Sequence, residues 1–170
     1  PPWSRGLGDV YKRQLGEQDR GFRPLSATLD AGNAHLAAEL LGIAQESFDR
    51  TLQYMKERKQ FGALIGSFQA LQHRTAHWWS EIEMCKSVVL KVLQSLDEED
   101  LKGPALASIA KAKLCEVAEL STNEAIQLHG GIGMTDEYEI GFFIKRARPA
   151  QMLFGDYNYH ANRFALISGY

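Results

Sequence analysis

The sequence predicts an all-α fold, an up-and-down helical bundle. Three observations carry this: apolar residues recur at spacings of three and four over most of the chain, the periodic segments are long, and the breaks between them are short. At 170 residues there is enough chain for one domain with a real core.

The first fourteen residues, Pro1 to Gln14, have neither helical nor strand period. They resemble translated adapter sequence, so 1–14 is expected to be non-native, with a loop from a missing upstream domain as the alternative. Residues 15–28 are polar and Gly-containing and are expected to form a linker or the remnant of a preceding domain. The bundle is expected over 29–170. No initiator Met opens the chain, and it is expected to be part of a longer protein.

Asp30 is the predicted N-cap of a first helix over Ala31–Lys59, with Leu41, Ala44, Phe48, Leu52 and Met55 on one stripe. Gly42 lies inside it. A helical Gly costs up to ~1 kcal/mol relative to Ala, which predicts close approach of another helix. The helix stops near Gln60-Phe61-Gly62, and Gly66-Ser67 opens the next. There Leu71, Thr75, Trp78, Ile82, Cys85, Val89, Val92 and Leu96 form a sustained seam, which the acidic run Asp97–Asp100 ends as a solvated turn. Pro104 sits in the first turn of a third helix, where its missing N–H costs nothing. Leu114, Val117, Ser121, Ala125 and Leu128 continue the period to His129-Gly130-Gly131. A shorter helix is predicted over Tyr138–Arg146, broken by Pro149, and a last one over Tyr157–Ile167.

The formal net charge of −2 argues against a protein built mainly around nucleic acid. No apolar run approaches the ~20 residues of a membrane span. Cys85 and Cys115 fit neither a CxxC pair nor a disulfide framework. They are expected as buried free thiols, in keeping with a reducing compartment and a cytoplasmic location.

Two segments depart from plain bundle sequence. In Glu57-Arg58-Lys59-Gln60-Phe61-Gly62, Arg58 offers a permanently charged fork for phosphate, Phe61 a cover for a flat ring, and Gly62 a sharp turn. The same residues also suit an ordinary helix C-terminus. In Gln127-Leu128-His129-Gly130-Gly131-Ile132-Gly133-Met134, the glycines let a ligand approach backbone N–H groups, and Gln127 and His129 add side-chain donors or acceptors. A plain helix–helix turn is the alternative.

Together the two segments resemble the acyl-CoA dehydrogenase family. There an Arg-Lys-x-Phe-Gly sequence ends one bundle helix and a Gln-x-x-Gly-Gly-x-Gly turn follows the third; Ser67-Phe68-Gln69 also looks like a family segment. The resemblance runs from about Leu29 to the C-terminus and covers the family's last domain. It implies FAD as cofactor, an acyl-CoA substrate, and α,β-dehydrogenation of the thioester. It further implies a homo- or hetero-oligomer formed through the bundle, and admits an electron-transfer protein as acceptor. Carried over by residue, Arg58, Phe61, Gln69, Gln127, Gly130 and Gly131 become FAD contacts, with Leu128 and His129 in the same turn.

The family's proton-abstracting Glu is not matched. Most members place it before a Gly ahead of the final helix, where this chain has Phe154-Gly155. A minority place it near the start of the first bundle helix, where Gly32 stands, followed by Asn33 in place of a common Arg. Three explanations compete. A partner subunit carries the base, since Phe-Gly-Asp resembles the small subunits of paired dehydrogenases acting on bulky acyl-CoAs. Asp156 serves as a displaced base. Or the protein keeps only binding and assembly. Glu39 is expected to be a surface carboxylate. Tyr157, Tyr159 and His160 are expected to pack the last helix or line a cofactor edge. Lys145-Arg146 and Arg148 form a basic cluster at a helix end or at a nucleotide phosphate.

Overall fold

In the computed structural model, which describes residues 16–98 and 100–170, the chain is a helical bundle. Helix α1 spans Phe22–Glu57, and a small hairpin follows, β1 Lys59–Gln60 paired antiparallel with β2 Ala63–Leu64. Next come α2 Gln69–Asp97, α3 Gly103–His129, α4 Ile140–Met152 and α5 Tyr157–Ile167. Short 3-10 turns at Ile65–Ser67 and Gly130–Met134 precede α2 and follow α3. Helix α3 is central: it packs against α1, α2, α4 and α5.

The predicted seam of α2 is the buried one. Thr75, Trp78, Ile82, Cys85, Val89 and Val92 are buried, and Leu71 and Leu96 pack half-buried on the same core. Trp78 joins three helices. Its ring stands edge-on to Phe48 of α1 at 5.0 Å, and its indole N–H donates to Ser121 Oγ of α3 at 2.7 Å. That bond leaves no buried indole donor unpaired, which an aromatic core position requires. Alanines 34, 37 and 44 on α1 and 107, 110 and 118 on α3 are fully buried, so the two backbones approach closely. The predicted stripe of α3 is buried along its length, and α5 has the predicted limits.

Four expectations are corrected. Helix α1 begins at Phe22, inside the segment expected to be a linker, because nothing in that polar stretch breaks a helix. Pro24 falls in the first turn, where backbone N–H groups have no intrahelical acceptor in any case. Asp30 is therefore no N-cap; it is a buried mid-helix carboxylate, 2.6 Å from Arg163 of α5. Gly42 is exposed, and a Cβ there would meet nothing within 4 Å, so it marks no close approach within the chain. The close glycine is Gly66, where a Cβ would lie 2.9 Å from Met55 O. Pro149 lies inside α4 and does not end it. One backbone hydrogen bond is forgone, while buried Ala147 and Ala150 hold the last turn on the bundle. The segment 1–14 lies outside the described residues.

Cys85 and Cys115 are buried free thiols. Burial pushes the Cys85 thiol up to about 11, which keeps it unreactive. Among the described residues no helix is long and apolar enough to cross a membrane, and no cluster of three or more His, Cys, Asp or Glu could hold a metal.

Candidate functional site

The two departures from bundle sequence meet in space. Helix α1 ends as Arg58 turns to extended backbone, its N–H donating to Tyr54 O at 2.8 Å. The hairpin then pairs Lys59 with Leu64 and Gln60 with Ala63, leaving Phe61-Gly62 as a two-residue loop. Both loop residues have positive φ, 54° and 78°, as a tight hairpin of this hand demands. Gly62 adopts this freely; Phe61 does so against its own Cβ, with 94% of its surface exposed.

Helix α3 ends at His129, and Gly130 reverses the chain with φ 65°. The His129 ring is 4% exposed and stacks on Tyr54 at 4.3 Å, with Tyr138 at 4.9 Å on its other neighbour. Its Nδ1 lies 2.7 Å from Ala125 O. A carbonyl only accepts, so Nδ1 carries the proton and Nε2 holds a lone pair; Nε2 is buried and has no partner. Burial depresses this imidazole's pKa, and the bond to Ala125 opposes the shift weakly.

Between these ends lies a cleft of about 310 Å³. Arg58 and Phe61 line one wall; Gln127, Leu128, His129, Gly130 and Gly131 line the other. Gln69, expected beside them, starts α2, is exposed, and lies outside the lining. Sequence inspection missed Tyr54 and Arg74, which also line the cleft. Tyr54 could have been found from its place one turn before Arg58. Arg74 is committed to Glu124 by two bonds of 2.9 Å, whereas Arg58 has no ion pair among the described residues.

The second region surrounds the segment between α4 and α5. Phe154 has φ 60° and Gly155 φ 111°. The Phe154 ring lies on Gly32 of α1: a Cβ at residue 32 would sit 2.9 Å from Cε2 and 3.2 Å from Cδ2. The two sequence positions considered for a base therefore touch. Beneath them, fully buried Lys111 donates to Gly155 O at 2.8 Å and Gln151 O at 2.9 Å. Burial lowers its pKa, with the Cys115 thiol opposing. Fully buried His160 places Nε2 3.2 Å from Phe154 O. Its pKa is pushed down to about 4, by burial first and then by the charge on Lys111. A cleft of about 150 Å³ beside Phe154 is lined by Asp30, Asn33 and Arg163 under an apolar rim that includes Leu25, Leu29 and Tyr159.

Asp156 does not stand free as a displaced base. It is the N-cap of α5, its Oδ1 accepting from Tyr159 N at 2.9 Å, and it lines a different, open cleft of about 610 Å³. Glu39 pairs with Arg146 at the surface, and Lys145 with Asp136, so two of the three basic-cluster residues are compensated. Arg148 lines the same open cleft as Asp156. Tyr157 and Tyr159 are about half exposed, while His160 packs inside the core.

The family model for "Acyl-CoA dehydrogenase, C-terminal domain" matches residues 19–166. The probable acyl-CoA dehydrogenase YngJ of Bacillus subtilis is 40% identical over 134 residues, covering 79% of this chain and 35% of that protein. The solved structure of butyryl-CoA dehydrogenase from Megasphaera elsdenii superposes with a TM-score of 0.87 at 30% identity, over 91% of this chain and 40% of that one. A structure of PigA with FAD and proline superposes with a TM-score of 0.78 at 25% identity, over 83% and 37%. The chain thus spans about a third of the length of the curated relatives it matches.

Proposed function

The chain belongs to the acyl-CoA dehydrogenase family and spans its C-terminal domain, and from that premise we propose that the protein is a subunit of an FAD-dependent enzyme that dehydrogenates an acyl-CoA thioester between its α and β carbons. The observation that carries this is the convergence of Arg58 and Phe61 with the Gln127–Gly131 turn in one cleft.

The residues present fit one end of such a cofactor. Arg58 offers a guanidinium for which no carboxylate competes among the described residues, suited to a phosphate. A Cβ at Gly130 or Gly131 would meet nothing, so a ligand can come down onto the backbone there. Phe61 presents an exposed ring face. His129 lines the same cleft, with the lone pair of its Nε2 buried. A volume of about 310 Å³ houses part of a dinucleotide, leaving the remainder to other domains or a neighbouring subunit. When bound, FAD supplies the acceptor for the hydride that leaves the acyl β-carbon. Assembly through the bundle suits the outer face of α2, where Trp79 and Leu90 are exposed three turns apart. A homo- or hetero-oligomer and an electron-accepting protein partner belong to the same proposal.

A second reading has its own support: this chain completes the flavin site of a partner and does not itself abstract the proton. α-Proton removal needs a base within hydrogen-bond reach. Phe154 cannot accept a proton, and Gly32 has no side chain. The carboxylate lining the adjacent cleft is Asp30, and Arg163 holds it at 2.6 Å.

The test is to purify the full-length protein with any subunit that accompanies it, measure bound flavin, and add acyl-CoA without oxygen. Bleaching of the visible flavin band is the expected result for the assembly. Bleaching by this protein alone would overturn the paired-subunit reading. An assembly without flavin would overturn both.

A further inference from the structure

Gly32 and Phe154 each determine what the other can be. No longer side chain fits at residue 32 while the ring lies on it, since even a Cβ would come within 2.9 Å of Cε2. The backbone that carries the ring is fixed as well, while the ring keeps one face to solvent, with 45% of the residue exposed. Phe154 sits in the left-handed region, a costly conformation for a residue with a Cβ, and such a conformation persists only where its surroundings hold it. Here two fully buried donors hold it: His160 on Phe154 O at 3.2 Å and Lys111 on Gly155 O at 2.8 Å. Gly155, with φ 111°, has no room for a side chain, since a Cβ there would fall 2.3 Å from Tyr159 Cδ1. The space left beside the ring is about 150 Å³, the size of a cavity that accepts one benzene ring. Its polar floor is already committed between Asp30 and Arg163.

We propose that Phe154 and Gly32 form an interlocked pair that closes the acyl end of this chain's own site to CoA thioesters. The proposal rests on the reading of the protein as an acyl-CoA dehydrogenase subunit, and goes beyond it: a subunit that merely lacks its base would still bind substrate, whereas this one excludes it. Thioesters would then occupy sites whose acyl end another subunit builds.

The experiment counts thioester sites by calorimetry on the full-length, flavin-loaded assembly. The probe is a 3-thia-acyl-CoA, whose sulfur in place of the β-methylene leaves no hydride to transfer. The wild-type assembly is expected to bind one per copy of the base-carrying subunit and no more, and none where this chain assembles alone. Phe154→Ala should add one per copy, and Phe154→Leu, a smaller change, covers the case in which the alanine variant fails to fold. Gly32→Ala should add none, because its Cβ presses on the ring. A wild-type assembly that binds one thioester per copy of this chain beyond those the base-carrying subunits account for overturns the proposal. So does a folded, flavin-loaded Phe154 variant with no added site. An assembly that takes up no flavin overturns the functional reading first, and the proposal with it.

Discussion

Lys111, which has no exposed surface, donates to the carbonyl oxygen of Gly155 at 2.8 Å, one residue past the Phe154 ring that lies on Gly32. Its other oxygen partner, Gln151 O at 2.9 Å, ends the same segment on the α4 side. One buried ammonium thus ties the α4–α5 connection to the central helix.

Replacing it tests that tie. Lys111→Met keeps much of the volume but leaves Gly155 O without its donor and Gln151 O with only the Cys115 thiol, 3.6 Å away. The expected loss is roughly 1–3 kcal/mol, the cost of stranding buried acceptors, partly offset by removal of a buried charge. Urea denaturation measures it. Hydrogen exchange should speed up at residues 153–156 more than in the α1–α2 contact. An unchanged midpoint and unchanged exchange would show that the ammonium holds nothing.

His160 makes stability depend on acid. Its folded pKa, about 4, lies below the ordinary value near ~6.5. Between those values the unfolded chain binds a proton that the folded chain refuses. Its contribution is therefore full above pH ~6.5 and is lost as pH falls toward 4. The loss is on the order of 2–3 kcal/mol. His129, depressed by burial as well, acts in the same direction. The unfolding midpoint should fall over that window in wild type and fall less in His160→Asn. Parallel curves for the two proteins would remove His160 as the cause.

Phe61 should trade stability for ligand. It is held at φ 54° with 94% of its surface exposed, so its ring contributes little packing while its backbone is strained. Phe61→Gly relieves roughly 1 kcal/mol of left-handed cost and should raise the unfolding midpoint or leave it level. Flavin content of the full-length assembly should drop. A variant that keeps its flavin would remove Phe61 from the cofactor contacts.

Asp156 can be assigned by one conservative change. Asn caps a helix about as well as Asp, so Asp156→Asn should preserve the bond from Tyr159 N and the stability of α5. Asp156→Ala should cost about 1 kcal/mol. Because the amide of Asn is no base, turnover equal to wild type in Asp156→Asn identifies a cap. A large fall in kcat with an unchanged midpoint would restore Asp156 as the proton acceptor.

The helices were legible because burial of one face imposes a period on the sequence. The Thr75–Val92 seam of α2 and the Leu114–Leu128 stripe of α3 are buried as their spacing required. The start of α1 was not legible. Residues 22–28 carry few apolar side chains for a core, and their helicity comes from continuing a helix that packs further on. Pro149 misled for a related reason: local propensity disfavours it, but burial of Ala147 and Ala150 outweighs one missing hydrogen bond. In the candidate site, Arg58, Phe61 and the Gln127–Gly131 turn stood out because the two segments occur together, although each alone also suits an ordinary helix end. Tyr54 looked like ordinary helix surface, and Gln69 was expected in a cleft it does not line.

The order and apolar faces of the helices, the two chemical turns and the absence of Glu at residues 32 and 154 were determined by sequence alone, since each is a matter of residue type and spacing along one chain. Only the tertiary structure decided that Arg58 and His129 share a cleft and that Asp30 belongs to Arg163, 133 residues away. It alone decided that the Phe154 ring rests on Gly32. Those are contacts between elements far apart in the chain, and periodicity carries no information about which turn of one helix faces which turn of another.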